Sequence, residues 1–328
     1  MKEIAWFSPP GIGEGMGYGY AAVRTIKALQ NNGIKVSYDS VEPKCHISFI
    51  QPEFYSGDSD QYRIGYTPWE SSKIPDNWPG IMREMQEIWT PSQYCVDVFN
   101  SYNVNSIVRK VPHGIDAEIW RIENRFVSDK FVFLHVGGPT ARKGGQKVVD
   151  AFLDLFDGRD DVLLLLKSNE ATECRFYDKN GNFGSASRHP QIAVIDYPVD
   201  VEDLVKIYKS SHCLVYPTNG EGFGLIPFQG IATGLPTIVT NATACADFAD
   251  MSIPLDSKPA PGVGVHLGDW VEPDLNDLRD KMRYVFENFD KVKQKTMQSA
   301  NIIHATQTWD KVAQQVIGIL GDKIYERA

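Results

Sequence analysis

The sequence predicts an α/β protein built from two successive β/α halves, and three observations carry the prediction. Short apolar runs alternate with segments of helical apolar spacing, the pattern of parallel sheets covered by helices. Each half begins strand, glycine-rich loop, helix, first at residues 2–31 and again at residues 131–156. The run at 161–166 is continuously apolar after its acids, as in a strand buried on both faces.

Length and charge narrow the class. The chain has 328 residues, 42% hydrophobic and 23% charged, ordinary for a globular protein. A chain of that size can bury roughly three quarters of its unfolded surface, enough for one or two domains. A formal net charge of −9 argues against a general polyanion-binding surface. No apolar run approaches the roughly 20 residues that span a bilayer, and Pro9-Pro10 cuts the first one too short for a signal peptide. The five cysteines, at 45, 95, 174, 213 and 245, are widely spaced and lack a C-x-x-C pair. They read as reduced core thiols of a cytoplasmic protein, not as a zinc site or disulfide set.

In the first half, residues 2–7 form a strand that ends at Ser8-Pro9-Pro10. Glycines then occupy alternate positions from Gly11 to Gly19. Residues 20–31 follow with helical spacing of Ala22, Val23, Ile26 and Leu29, stopped by Gly33. Residues 34–38 are the next strand. A nicotinamide cofactor is the rival ligand for such a start. However, the G-x-G-x-x-G register fits poorly at Gly13 and Gly15, although Asp39 stands where a ribose-binding acid would. Residues 46–50, 62–67, 87–90 and 106–111 read as strands, and Pro91-Ser92 opens a helix to about residue 102. The segment 66–75, with Trp69 and Glu70, leaves a strand's carboxyl end, where open α/β sheets bind ligands; burial of Trp69 for packing explains it equally well. Pro112-His113-Gly114-Ile115-Asp116 closes the half, and the charged residues 121–129 read as a linker.

In the second half, strand 131–136 leads into Gly137-Gly138-Pro139-Thr140-Ala141-Arg142-Lys143-Gly144-Gly145 and a helix with Val148, Val149, Phe152, Leu153 and Phe156 on one face. Strands at 161–166 and 193–197 and a helix at 202–210 follow. Cys213-Leu214-Val215-Tyr216 is a short buried strand, residues 225–233 a helix stopped by Gly234-Leu235-Pro236, and Thr237-Ile238-Val239-Thr240 the next strand. Helices at 275–289, 291–300 and 309–324 complete the chain.

The chemistry concentrates in two strand-to-helix turns. Gly220, Gly222 and Gly224 bracket Glu221 and let a ligand approach the backbone. The N–H groups and positive end of the following helix suit a phosphate. Arg142 and Lys143 place two cations at the start of another helix, a second anion site. Together the two turns can hold a diphosphate with a polar group beside it, and a cleft between two α/β domains is the natural place for a second substrate.

These residues carry a resemblance. Asn219-Gly220-Glu221-Gly222-Phe223-Gly224-Leu225, with Ala232-Thr233-Gly234-Leu235-Pro236-Thr237-Ile238-Val239, resembles the donor-site signature of the GT-B retaining glycosyltransferases of family four, whose pattern is E-x7-E. Pro112-His113-Gly114-Ile115-Asp116, Arg142-Lys143-Gly144, Trp270-Val271-Glu272-Pro273-Asp274 and Trp309 resemble further landmarks of that family. The resemblance is strong over residues 130–320 and thinner over 1–125. It implies the GT-B fold: two Rossmann-like β/α/β domains facing a central cleft. Residues 1–125 form the acceptor side, 126–306 the donor side, and the helix 307–328 returns toward the first domain.

The implied activity is metal-independent, retaining transfer of a hexosyl or pentosyl group from a nucleotide-diphosphate sugar, a UDP-sugar being favoured, with no cofactor. Glu221 would bond hydroxyls of the transferred sugar. The N–H groups of Gly222, Phe223, Gly224 and Leu225 would receive the diphosphate, and Arg142 and Lys143 would neutralise the leaving nucleotide. The family's second glutamate, which holds the ribose hydroxyls, is Gln229 here, a group that also donates and carries no charge. Gly138 stands where the family often has an arginine. Gly13, Glu14 and Gly15 would border the diphosphate, and Trp69, Glu70 and His113 are the acceptor-side candidates. The acceptor is left open between a saccharide, a small molecule and a modified base of phage DNA stacked on Trp69 and Trp78. A silent nucleotide-sugar-binding protein is the alternative from another class.

Overall fold

A computed structural model describes residues 2–8, 17–38, 40–104, 106–122, 129–138, 140–170, 173–177 and 183–324. In chain order the first elements are β1 (Glu3–Phe7), α1 (Gly17–Asn31), β2 (Lys35–Tyr38), β3 (Cys45–Phe49), β4 (Tyr62–Tyr66), α2 (Trp78–Met82), β5 (Glu87–Thr90), α3 (Gln93–Ser101) and β6 (Ile107–Lys110). Then come β7 (Phe131–Val136), α4 (Gly145–Phe156), β8 (Val162–Lys167), β9 (Arg175–Tyr177), β10 (Phe183–Ser185), β11 (Ile192–Ile195), α5 (Val201–Lys209), β12 (Cys213–Tyr216), α6 (Leu225–Ala232) and β13 (Thr237–Thr240). The last are β14 (Ile253–Leu255), β15 (Ser257–Pro261), β16 (Asp269–Pro273), α7 (Leu275–Glu287), α8 (Phe289–Thr306) and α9 (Trp309–Leu320). The chain divides into two compact units, one of residues 1–116, 262–269 and 305–328, the other of 117–261 and 270–304.

The first unit holds a parallel six-stranded sheet in the order β2-β1-β3-β4-β5-β6. β3 and β5 are buried along their whole length even though β3 alternates apolar and polar residues; its buried His46 and Ser48 find partners in Ser56 rather than in water. Ser92 caps α3 by accepting from the Cys95 N–H. α9 packs on α1, and the chain at Ile115 pairs with Thr308, Ile115 N donating to Gln307 O at 3.0 Å and Trp309 N to Ile115 O at 3.1 Å. Glu87, fully buried at the amino end of β5, accepts from Arg109 Nε, Trp89 Nε1 and Tyr62 OH, each at 2.8 Å. Burial raises its pKa, and these bonds more than offset that, leaving it below the ordinary value.

The second unit has a parallel six-stranded sheet in the order β11-β8-β7-β12-β13-β14. Its core joins Phe133, Val148, Phe152, Leu164 and Val215 to Leu278, Met282 and Val285 of α7, so the apolar stripes of α4 and α7 close over one face. Asp200 and Asp274 cap α5 and α7 through their side chains. The chain runs outward from β7 through β8 to β11, then returns to start β12 on the other side of β7. The strand order therefore reverses between β7 and β12, and open α/β sheets bind ligands at the carboxyl ends flanking such a reversal.

Several expectations shift. α1 begins at Gly17, because Tyr18 is drawn in by a hydrogen bond to Thr67 Oγ1 at 2.7 Å and an edge contact with Phe49. α8 extends to Thr306, past the expected end at 300. The hairpin β9–β10, the strands β14 to β16 and the short helix α2 had no clear sequence pattern, being three to five residues long and held by tertiary pairing. Gly13, Glu14, Gly15 and Asp39 lie outside the described residues, as does most of the expected linker.

Candidate functional site

The site is built by the loops after β7 and β12, the two strands that flank the reversal. After β7 the chain makes a single 3-10 turn, Ala141–Lys143, ended by Gly144 in the left-handed region at φ +76°. A side chain on Gly144 would run into the Pro217 carbonyl, so glycine lets this loop lie directly on the loop after β12. The contact is locked by Asn219 N donating to Arg142 O at 2.8 Å and by Arg142 Nη1 donating to Gly220 O at 2.6 Å. Lys143 is thereby carried to Glu221, its Nζ 2.6 Å from Oε1.

Glu221 is buried, and one of its oxygens is heavily used. Oε1 takes Lys143 Nζ, Tyr216 OH at 2.8 Å and Thr218 Oγ1 at 3.1 Å, with Arg142 Nη1 at 3.3 Å. Oε2 takes part in none of these contacts. Burial raises the carboxyl pKa, but the charges of Lys143 and Arg142 and the donated bonds reverse it, leaving Glu221 at about 2. Tyr216 is pushed the other way, well up, by burial and then by the Glu221 charge. Lys143 also lies over the Tyr216 ring at 5.6 Å. The arrangement is a fixed carboxylate that stays ionised although buried, beside two cations.

Beyond Glu221 the turn enters α6 through Gly224, left-handed at φ +95°, where a Cβ would stand 2.8 Å from Cys245 Sγ. Phe223 turns inward against Phe228 and Phe248, with centroids 5.2 and 5.9 Å away. That anchors the turn and leaves the Leu225 and Ile226 N–H groups in the helix's first turn, without intrahelical acceptors. Gln229 is buried one turn further on. Asn219, just before the turn, bonds Glu272 of β16 at 2.9 Å and accepts from Lys147 at 3.2 Å, so the Trp270-to-Asp274 stretch braces the same loop.

Sequence reasoning missed the residues that surround this turn: Tyr216 and Thr218, which bind Oε1, Lys147, and His135. His135 is buried at the end of β7, its Nδ1 2.9 Å from Val215 O, and burial lowers its pKa to about 4. With Gly137, Gly138, Lys167, Ser168 and Cys174 it lines a pocket of about 130 Å³. Lys167 is buried too, donating to the carbonyls of Ser168 and Tyr197, and burial lowers its pKa. A polar residue at or next to the end of an otherwise apolar strand was the available sign of both.

The acceptor-side candidates belong to the first unit. Trp69 and Trp78 are 6% and 1% exposed and pack edge-on at 4.5 Å within the core, Trp69 Nε1 donating to Lys73 O at 3.0 Å. Their rings are committed to packing, which corrects the expectation of a base-stacking platform. Glu70 is partly exposed, its Oε2 3.8 Å from His266 Nδ1. His113 is enclosed by Phe49, Tyr66 and Trp309, and burial lowers its pKa to about 3, so it too serves as a core group rather than a ring offered to an acceptor.

Comparison with known proteins bears on the fold and the family. Among solved structures, sucrose-phosphate synthase of Thermosynechococcus elongatus superposes with a TM-score of 0.71 at 13% identity, covering 97% of this chain and 98% of that one. Anabaena HepE in complex with UDP and glucose gives 0.66 at 10% identity, covering 98% and 99%. The fold is therefore GT-B. The capsular polysaccharide biosynthesis glycosyltransferase CapM of Staphylococcus aureus is 26% identical over 143 residues, 41% of this chain and 36% of its own length. The chain thus matches little more than a third of that relative. Among the described residues no helix is long and apolar enough to cross a membrane. Residues 106–316, almost two thirds of the chain and the whole of the site just described, match the family described as family 4 glycosyltransferase in conflict systems, and the chain belongs to that family.

Proposed function

We propose that this protein is a retaining glycosyltransferase that moves a sugar from a nucleotide-diphosphate sugar to an acceptor hydroxyl. The observation that carries the reading is the ionised, buried Glu221 held between Lys143 and Arg142 at the mouth of a glycine turn. Glu221 Oε2 accepts from hydroxyls of the donor sugar. The Leu225 and Ile226 N–H groups and the positive end of α6 receive the diphosphate. Lys143 moves from Glu221 toward the phosphate, where it offsets the charge that grows as the sugar–phosphate bond breaks. In a front-face displacement the acceptor oxygen bonds the anomeric carbon on the side the phosphate leaves, and the acceptor proton passes to the departing phosphate oxygen. No enzymatic nucleophile and no metal enters this scheme.

UDP is the favoured nucleotide, supported by the UDP and glucose held by the structural relative HepE. A saccharide hydroxyl is the favoured acceptor, in keeping with the capsular polysaccharide role of CapM. A thermal-shift panel with UDP, GDP, ADP, CMP and NAD tests the donor. A ligand at a hundred times its dissociation constant adds about 2.7 kcal/mol, which is a rise of several degrees. A shift with one nucleoside diphosphate, lost in Lys143→Ala, supports the reading, and a shift with NAD alone refutes it. Gln229 favours a second reading, a donor-binding protein without turnover. Tight UDP-sugar binding with no transfer to any acceptor, restored by Gln229→Glu, would select it.

A further inference from the structure

We infer that Thr243 is a positioning residue for Glu221, a role that rests on the donor-site reading above. Thr243 opens the 3-10 segment Thr243–Met251 that follows β13 and has φ +50°. Among the described residues, Asn103 is the other non-glycine in the left-handed region, and asparagine tolerates it. A β-branched threonine does not, because its Cβ crowds the following carbonyl. Such strain persists where the surroundings over-determine it, and it clusters at functional sites.

What holds Thr243 there is its grip on Glu221. Thr243 Oγ1 accepts from the Glu221 N–H at 3.1 Å, and the next residue, Ala244, donates its N–H to the Glu221 carbonyl at 3.2 Å. One two-residue turn therefore fixes both main-chain polar groups of the residue whose carboxylate faces the donor. The fixation complements the side-chain contacts, which come from Tyr216 of β12, from Thr218 and from the Arg142–Lys143 loop. Glycine would supply the backbone conformation without strain, but not the oxygen. Strain and hydrogen bond thus point to one role: Thr243 sets the height of Glu221 in the turn, so that Oε2 meets the sugar hydroxyl.

Three substitutions separate this from a merely structural role. Thr243→Gly removes both strain and acceptor. Its Tm is expected within about 2 °C of the parent, the two effects offsetting each other, while kcat falls about tenfold or more and donor KM changes little. Thr243→Ser keeps the oxygen and holds kcat within about twofold. Thr243→Val keeps the branch, loses the acceptor, and lowers both Tm and kcat. A structural role would move Tm and kcat together in Thr243→Gly as well, so Gly is the variant that separates the two. Hydrogen exchange of the Glu221 amide gives a readout independent of transfer: it speeds up in the Gly and Val variants and not in Ser. If Gly or Val retains parental kcat, or the Glu221 amide exchanges alike in all three, the inference is overturned. If the parent transfers no sugar from any nucleotide donor, the function reading fails, and the exchange pattern alone decides the clamp.

Discussion

The depressed pKa of Glu221 makes a prediction that can be worked through. The folded carboxyl sits at about 2 against an ordinary value of 4.5. A group with a folded pKa below its unfolded one contributes stability above the unfolded pKa and loses it as pH falls through the folded pKa. The full contribution is about 3 kcal/mol, roughly 2.5 pH units at 1.36 kcal/mol each. It is flat from pH 9 to about 5. About 2 kcal/mol of it is gone by pH 3, and most of the rest goes between pH 3 and pH 2. For a 328-residue chain unfolding with roughly 2.1 cal/mol/K per residue, 2 kcal/mol is about 3 °C in Tm. The perturbation is Glu221→Gln, which keeps shape and burial but cannot ionise. The measurement is Tm of both chains from pH 8 to pH 3, plotted as a difference so that the other carboxylates cancel. The parent should lose its excess stability only below pH 5. Parallel curves would refute the reasoning, since they require Glu221 to titrate alike folded and unfolded, which the contacts of Lys143 and Arg142 forbid.

Three further outcomes follow from the same geometry. Glu87→Ala leaves the buried Trp89 Nε1 donor without its acceptor and should cost about 1–3 kcal/mol in urea unfolding; an unchanged midpoint would mean that the Glu87 cluster contributes nothing net. Gly224→Ala forces a Cβ into the left-handed region and against Cys245, so it should destabilise by about 1–3 kcal/mol and weaken UDP binding; parental behaviour in both would show that the turn can relax freely. Trp69→Ala should cost about 3–5 kcal/mol as a core cavity while leaving UDP affinity intact; full stability with selective loss of an acceptor would instead make Trp69 a binding surface.

The sequence by itself determined the α/β class, the order of most strands and helices, and the two turns that hold Arg142, Lys143 and Glu221. These are local properties: apolar period, helix stops and glycine placement act over a few residues. The tertiary structure decided which groups meet. Lys143 and Glu221 are 78 residues apart and touch because β12 pairs beside β7, a choice of strand neighbour that no local pattern encodes. Thr243 reaches the Glu221 amide for a similar reason, since β13 pairs with β12. Burial was equally hidden. Trp69 and His113 look like ligand groups in sequence, and their environment of aromatic rings makes them core. Lys143 reads in sequence as one of two cations at a helix start, and only the fold shows that its partners are Tyr216 and Glu221. A side chain's chemistry is written in its own residue, but its exposure, charge state and partners are set by what the rest of the chain brings to it.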